Sequence, residues 1–145
     1  MQCIVLAIDG SPSAEHALEV AIDLARSTNA SLEIVAVRPT RLAGRAGSGG
    51  PIDELEEPGG VDRVLEAAAE IASAHGQKTT LHALHGDPVG EIRALATTLD
   101  ADLIVVGSRG LGTVSGALFG SVSQSLATTS SIPVTVVRAT VRAIA

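Results

Sequence analysis

An α/β domain with a doubly wound, parallel, five-stranded sheet and helices on both faces, a Rossmann-like architecture, is the fold class this sequence predicts. Three observations carry that expectation. Short, near-continuous apolar runs alternate with segments whose apolar residues recur at helical spacing, in the order βαβαβαβαβ. Hydrophobic residues make up 46% of the 145 and Phe119 is the only aromatic, so Ala, Val, Ile and Leu must build the core. The apolar run Leu103-Ile104-Val105-Val106 opens directly into a glycine-containing segment, as a buried strand does when it leads through a loop into a helix.

The elements follow in order. Residues 3–8 are an apolar first strand, and Asp9-Gly10-Ser11-Pro12-Ser13 turns into a first helix. Ser11 is a natural N-cap and Pro12 suits the first helical position. Ala14, Ala17, Leu18, Ala21, Ile22, Leu24 and Ala25 mark its buried stripe, and Asn29-Ala30-Ser31 ends it. Residues 32–37 form the second strand. Residues 38–60, rich in Gly, Pro and charge, read as a long loop, either a functional lid or a disordered segment. Residues 61–76 have a helical pattern closed by Gly76. The third strand is 79–84, followed by His85-Gly86-Asp87-Pro88, with Asp87 as N-cap. Val89, Ile92, Leu95, Ala96 and Leu99 then form a third helical stripe. Residues 102–106 are the fourth strand, Gly120 to Thr129 the fourth helix, and 133–137 the fifth strand. Ser121 and Gln124 have capping-box spacing. Residues 1–145 thus read as one domain with strand order 3-2-1-4-5 and a frayed tail at 139–145.

Composition excludes several functions. The net charge is −6 and aromatics are nearly absent, so neither the basic footprint nor the stacking platform of a nucleic-acid binder is present. Lys78, the one lysine, lies in Gln77-Lys78-Thr79 and cannot serve a Walker A motif. No Gly-x-Ser-x-Gly elbow has an evident partner histidine, which disfavours a hydrolase. A dinucleotide oxidoreductase would want its glycine fingerprint after the first strand and an acid ending the second, where this chain has Asp9-Gly10-Ser11 and Arg38. Cys3 is alone and reads as a small core residue. No apolar run approaches the ~20 residues of a membrane span, and the N-terminus lacks a signal-peptide pattern. A cytoplasmic setting is expected.

Ligands of doubly wound sheets bind beyond the carboxyl ends of the strands, where the winding reverses. Strands 1 and 4 meet there, so Asp9-Gly10 and Gly107-Ser108 face one crevice. Gly107 and Gly110, then nine residues, then Gly120-Ser121 and Val122-Ser123 complete the pattern G-x2-G-x9-G-S. Glycines let backbone approach a ligand, and a helix N-terminus presents free N–H groups and a partial positive charge, a combination suited to phosphate.

This pattern resembles the ATP-binding signature of the universal stress protein family. Asp9-Gly10-Ser11, His85-Gly86-Asp87-Pro88 and Gly107-Ser108-Arg109-Gly110 also look like that family's turns, so the resemblance covers almost the whole chain. The resemblance implies an ATP ligand. Ala7, Asp9 and Val37 would line the adenine and ribose end, and Val106, Gly107 and Gly110 the ribose and inner phosphates. Gly120, Ser121, Val122 and Ser123 would hold the outer phosphates. The long insert after the second strand departs from the family's pattern. Family members divide into binders and non-binders of ATP, and the complete signature puts this chain with the binders.

Each residue also has a structural role to weigh. The glycines could be turn glycines, Asp9 could brace its own turn, and Ser121 and Ser123 could cap a helix. Arg109 could be a phosphate contact or a solvated charge. His82 and His85 are the one histidine pair with even loose metal spacing, and ordinary strand or turn histidines fit better. A divalent metal such as Mg could bridge the phosphates, although no carboxylate cluster marks a protein-built site.

The expected function is that of a nucleotide-responsive stress protein, non-enzymatic or at most a weak ATPase. The alternative is a dimeric interaction module of the same fold that binds no nucleotide. The fifth strand, from Pro133 to Arg138, would be a sheet edge that is apolar on both faces. Such an edge invites pairing with a second copy, and the resemblance implies the same homodimer.

Overall fold

A computed structural model describes residues 1–40, 54–108 and 120–139. Its elements are β1 (Cys3–Ala7), α1 (Pro12–Thr28), β2 (Ser31–Pro39), a 3-10 turn (Glu54–Glu56), α2 (Gly60–Ala74), β3 (Thr79–Gly86), α3 (Pro88–Thr98), β4 (Leu103–Gly107), α4 (Ser121–Thr129) and β5 (Val134–Val137). The strands form one parallel sheet in the expected order, β3-β2-β1-β4-β5.

Alternation along the strands supplies two cores, one on each face. Ile4, Leu6, Ile34 and Val105 point to the face covered by α1 and α2, where Ala17, Leu18, Ala21, Leu65 and Ala68 meet them. Val5, Val35, Ile104 and Val106 point to the other face, under Ile92 and Ala96 of α3 and Leu126 of α4. Each fully buried Val, Leu or Ile contributes about 1.5–3 kcal/mol of transfer free energy, so these layers dominate the stability. Val89, Leu95 and Leu99 sit at the margin of the second core, half-buried. Among the described residues no helix is long and apolar enough to cross a membrane.

The helix boundaries follow local chemistry. Ser11 caps α1, its hydroxyl accepting the Ala14 N–H at 3.3 Å, with Pro12 behind it, and Asn29 ends the helix in the left-handed region. Asp87 caps α3 through the Gly90 N–H at 2.9 Å. Gly76 follows the last turn of α2.

Three expectations need correction. The stretch 38–60 is not loop throughout. β2 continues to Pro39 beside Gly86 of β3, Leu55 in the 3-10 turn is buried in the first core, and α2 starts at Gly60; residues 41–53 lie outside the described residues. The N-cap of α4 is Gly120, with extended backbone and no side-chain cap, so Ser121 is already helical and makes no capping box with Gln124. Cys3 is half-buried at the edge of the second core rather than within it. Burial, chiefly, pushes its thiol above the ordinary value; the Ser31 hydroxyl opposes this and the Glu33, Asp102 and Asp100 carboxylates add to it. The thiolate, the reactive form, is thereby disfavoured.

Two contacts fix how β1, β4 and α1 meet. The Asp102 carboxylate, just before β4, accepts the N–H groups of Gln2 and Cys3 at 2.6 and 2.9 Å, while the Asp102 N–H donates to the Cys3 carbonyl. At the other end of β4, Gly107 lies against the first turn of α1. A Cβ there would stand 2.6 Å from Ser13 Oγ, 2.8 Å from the Ser13 carbonyl carbon and 2.9 Å from the Ala14 nitrogen. Only a residue without a side chain lets the strand end and the helix start come this close.

Gly107→Ala must therefore move backbone, and overpacking of this kind costs typically about 1–3 kcal/mol. Urea denaturation should show that loss, and a variant as stable as the wild type would contradict the close packing. Asp102 generates a pH dependence. Its hydrogen bonds from Gln2 and Cys3 hold its carboxyl below the ordinary value. The resulting stabilisation is present above the unfolded value of about 3.9 and is lost as pH falls through the lower folded value. Asp102→Asn should lower the urea midpoint at neutral pH, and its gap from the wild type should close in acid. A gap independent of pH would exclude the carboxylate as its source.

Candidate functional site

The carboxyl ends of β1 and β4 lie side by side, with Ala7 opposite Val106. Ala7 and Val106 share the face covered by α3 and α4 with Val37, on the next strand along, and all three are buried in the same core. They form an apolar floor at the strand ends. That floor stops where β1 turns. Gly10 adopts φ 84°, a left-handed conformation that glycine takes without a Cβ clash, and the Asp9 carboxylate accepts the Ser11 N–H at 2.9 Å. The half-buried Asp9 thus braces the turn that launches α1. Next to it, the hydroxyls of Ser11 and Ser13 lie 3.4 Å apart and both residues are buried, with Ser13 against Gly107.

Beyond β4 the chain meets α4 at one peptide. The Ser108 N–H donates to the Val137 carbonyl of β5 at 2.7 Å. The Ser108 carbonyl accepts the Gly120 N–H at 2.6 Å and the Ser123 hydroxyl at 2.9 Å. The Ser123 hydroxyl also lies 3.0 Å from the Gly120 carbonyl. The first intrahelical bond of α4 runs from the Gln124 N–H to the Gly120 carbonyl. The N–H groups of Ser121, Val122 and Ser123 precede it, and helix geometry gives such groups no intrahelical acceptor. They carry the positive end of the helix dipole. Ser121 is exposed, Val122 is half-buried against the second core, and Ser123 is buried.

The structure therefore brings Ala7, Asp9, Val106, Gly107, Gly120, Ser121, Val122 and Ser123 to the ends of β1 and β4, with Val37 on the adjoining strand. Arg109 and Gly110 lie outside the described residues. Chemically the arrangement offers an apolar floor, an acidic turn and a cluster of backbone donors. The sequence placed Ser108 at the crevice and Ser13 in the first turn but gave neither a role. Ser108 acts through its peptide, which no side-chain pattern reports. Ser13 shows itself only as a small residue that must face a strand-ending glycine.

The histidines are dispersed. His82 and His85 are three apart in β3 and so point to opposite faces. His82 instead faces Glu33 of β2, Nε2 to Oε1 3.8 Å. Among the described residues no three His, Cys, Asp or Glu side chains gather as metal ligands do.

Known proteins share this fold. The universal stress protein family profile matches residues 1–138. The stress response protein NhaX of Bacillus subtilis is 32% identical over 160 residues, covering 93% of this chain and 96% of its own length. The universal stress protein YxiE of the same organism is 34% identical, covering 93% and 97%. A universal stress protein solved in complex with cAMP superposes with a TM-score of 0.74 at 31% identity, covering 96% of this chain and 98% of its own. The Archaeoglobus fulgidus universal stress protein in complex with dAMP gives 0.69 at 26% identity, covering 94% and 98%. The fold, the β1–β4 crevice and the extent of these matches lead to one conclusion: this chain belongs to the universal stress protein family.

Proposed function

We propose that this protein binds ATP at the crevice between β1 and β4 and serves as a nucleotide-responsive regulator in a stress response, in the cytoplasm. The observation that carries the reading is the complete G-x2-G-x9-G-S pattern, whose final Gly-Ser opens α4 beside the end of β4. The ligands of the two solved relatives, cAMP and dAMP, are adenine nucleotides and support the same class here. In this reading Ala7, Asp9 and Val37 line the adenine and ribose end. Val106, Gly107 and Gly110 lie at the ribose and inner phosphates, Arg109 contacts phosphate, and the amides of Ser121, Val122 and Ser123 meet the outer phosphates. Bound Mg would neutralise phosphate charge.

Rapid phosphoryl transfer needs positioned cations, metal ligands and a water-orienting group. Lys78 sits at the amino end of β3, far from the strand ends that form the crevice. Binding, with slow hydrolysis at most, is the role we assign. ATP would then favour one conformation of the site through its differential contacts.

Calorimetric titration of purified protein with ATP tests the assignment. The wild type should bind, and Gly120→Val should weaken binding at least about tenfold, a loss of about 1.4 kcal/mol, with its circular dichroism unchanged. Normal binding by the variant would remove the phosphate assignment. A wild type that ignores ATP would favour a nucleotide-independent interaction module.

We further propose a homodimer through β5, from Pro133 to Arg138. β5 is an edge, paired with β4 alone among the described residues. The Pro133 and Val137 carbonyls accept N–H groups from Ile104 and Ser108. Alternation then turns the N–H and C=O groups of Val134 and Val136 away from β4, toward a second copy. Val136→Pro removes one outward donor without breaking a β4 bond. Sedimentation should move the variant from dimer to monomer at micromolar concentration. A folded variant that remains dimeric, or a monomeric wild type, would refute the interface.

A further inference from the structure

We infer that the Ser123 side chain is a positioning group, one that shapes the phosphate-facing end of the crevice while its hydroxyl makes no contact with phosphate. The inference rests on the ATP reading above and assigns Ser123 a different part in it. The residue is 2% exposed, whereas its neighbour Ser121 at the same helix start is exposed. Its hydroxyl faces two acceptors, the carbonyls of Ser108 at 2.9 Å and Gly120 at 3.0 Å. A hydroxyl has one proton, and here that proton is committed to backbone carbonyl. An ionised phosphate oxygen only accepts. Ser123 could serve phosphate through its side chain only by giving up the junction between β4 and α4.

That junction has consequences for the ligand. The Ser108 carbonyl has two lone pairs, filled by the Gly120 N–H and the Ser123 hydroxyl. One side chain in the first turn of α4 is thereby tied to the residue that follows β4, fifteen positions earlier. The tie sets where the first-turn amides of α4 stand relative to the strand ends. Preorganised amides bind an anion without spending binding energy on ordering themselves. Ser121, exposed at the first helical position, is the serine left to meet the ligand directly.

Two measurements on Ser123→Ala and Ser123→Thr test this. Amide hydrogen exchange in nucleotide-free protein reads the junction itself. Losing one hydrogen bond should speed exchange of the Gly120 amide roughly two- to tenfold in the alanine variant, with the β4 core amides unchanged. Threonine, which keeps the hydroxyl, should restore the wild-type rate. Titration with ATP and with adenosine reads the ligand. The alanine variant should weaken ATP by a similar factor, leave adenosine alone, and be rescued by threonine. Wild-type exchange at Gly120 in the alanine variant would overturn the proposal, because a direct phosphate contact leaves the free protein unaltered. Equal weakening of ATP and adenosine would overturn it as well. Faster Gly120 exchange in a protein whose wild type ignores ATP would sustain the junction and sink the ATP reading instead. Should the alanine variant not fold, Ser123→Cys, nearly isosteric and a weak donor, is judged by the same criteria.

Discussion

The close approach of Gly107 to the first turn of α1 is the constraint from which the rest of the site follows. β1 and α1 are joined by a short turn, and β4 must come up beside β1 to fill the sheet. With any side chain at Gly107, the strand end and the helix start would be pushed apart by contacts with Ser13 and Ala14 backbone. Glycine lets the two meet, and small serines at positions 11 and 13 fill the seam without holding it open. The crevice therefore has a fixed wall before any ligand arrives. Its other wall, the start of α4, is held to the same strand by the Ser108 peptide.

Ser108 has a second attachment. Its N–H holds the last residue of β5 while its carbonyl holds α4. One residue thus joins the edge of the sheet to the helix start beside the crevice, through the two peptide groups that flank its Cα. A displacement of β5 reaches the acceptor on which Gly120 and Ser123 rest across a single pair of backbone dihedrals. The physical connection between a sheet edge and a binding crevice is here one residue long.

Much of this was legible in the sequence because the deciding physics is local. Runs such as Leu103-Ile104-Val105-Val106 are apolar throughout, as strands covered on both faces must be. Ser11-Pro12 and Asp87-Pro88 announce helix starts by chemistry that needs no tertiary context. Alternation and the preference for right-handed crossovers pointed to a doubly wound parallel sheet, and the order favoured within that class is the one observed. What was missed depends on contacts between distant segments. Leu55 is one apolar residue in a polar stretch, with no periodicity to show that it reaches the core. The Ser121–Gln124 spacing fits a capping box, yet the tie from Gly120 to Ser108 places the helix start one residue earlier. Motif spacing pointed to Gly107 and to Gly120 through Ser123, whereas the ligand roles of Ala7, Asp9 and Val37 came from the family resemblance alone; that Ser121 is exposed and Ser123 buried required the fold.

Both cores were built from Ala, Val, Leu and Ile, and the chain contains neither tryptophan nor tyrosine. The packing is therefore optically silent. A lone phenylalanine absorbs weakly, and nothing in the chain emits the usual near-ultraviolet fluorescence. An adenine ring absorbs strongly where this protein hardly absorbs at all. The ultraviolet spectrum of the purified material would consequently be almost the spectrum of whatever base it carries. One tryptophan introduced by design would report on its own surroundings against a dark background.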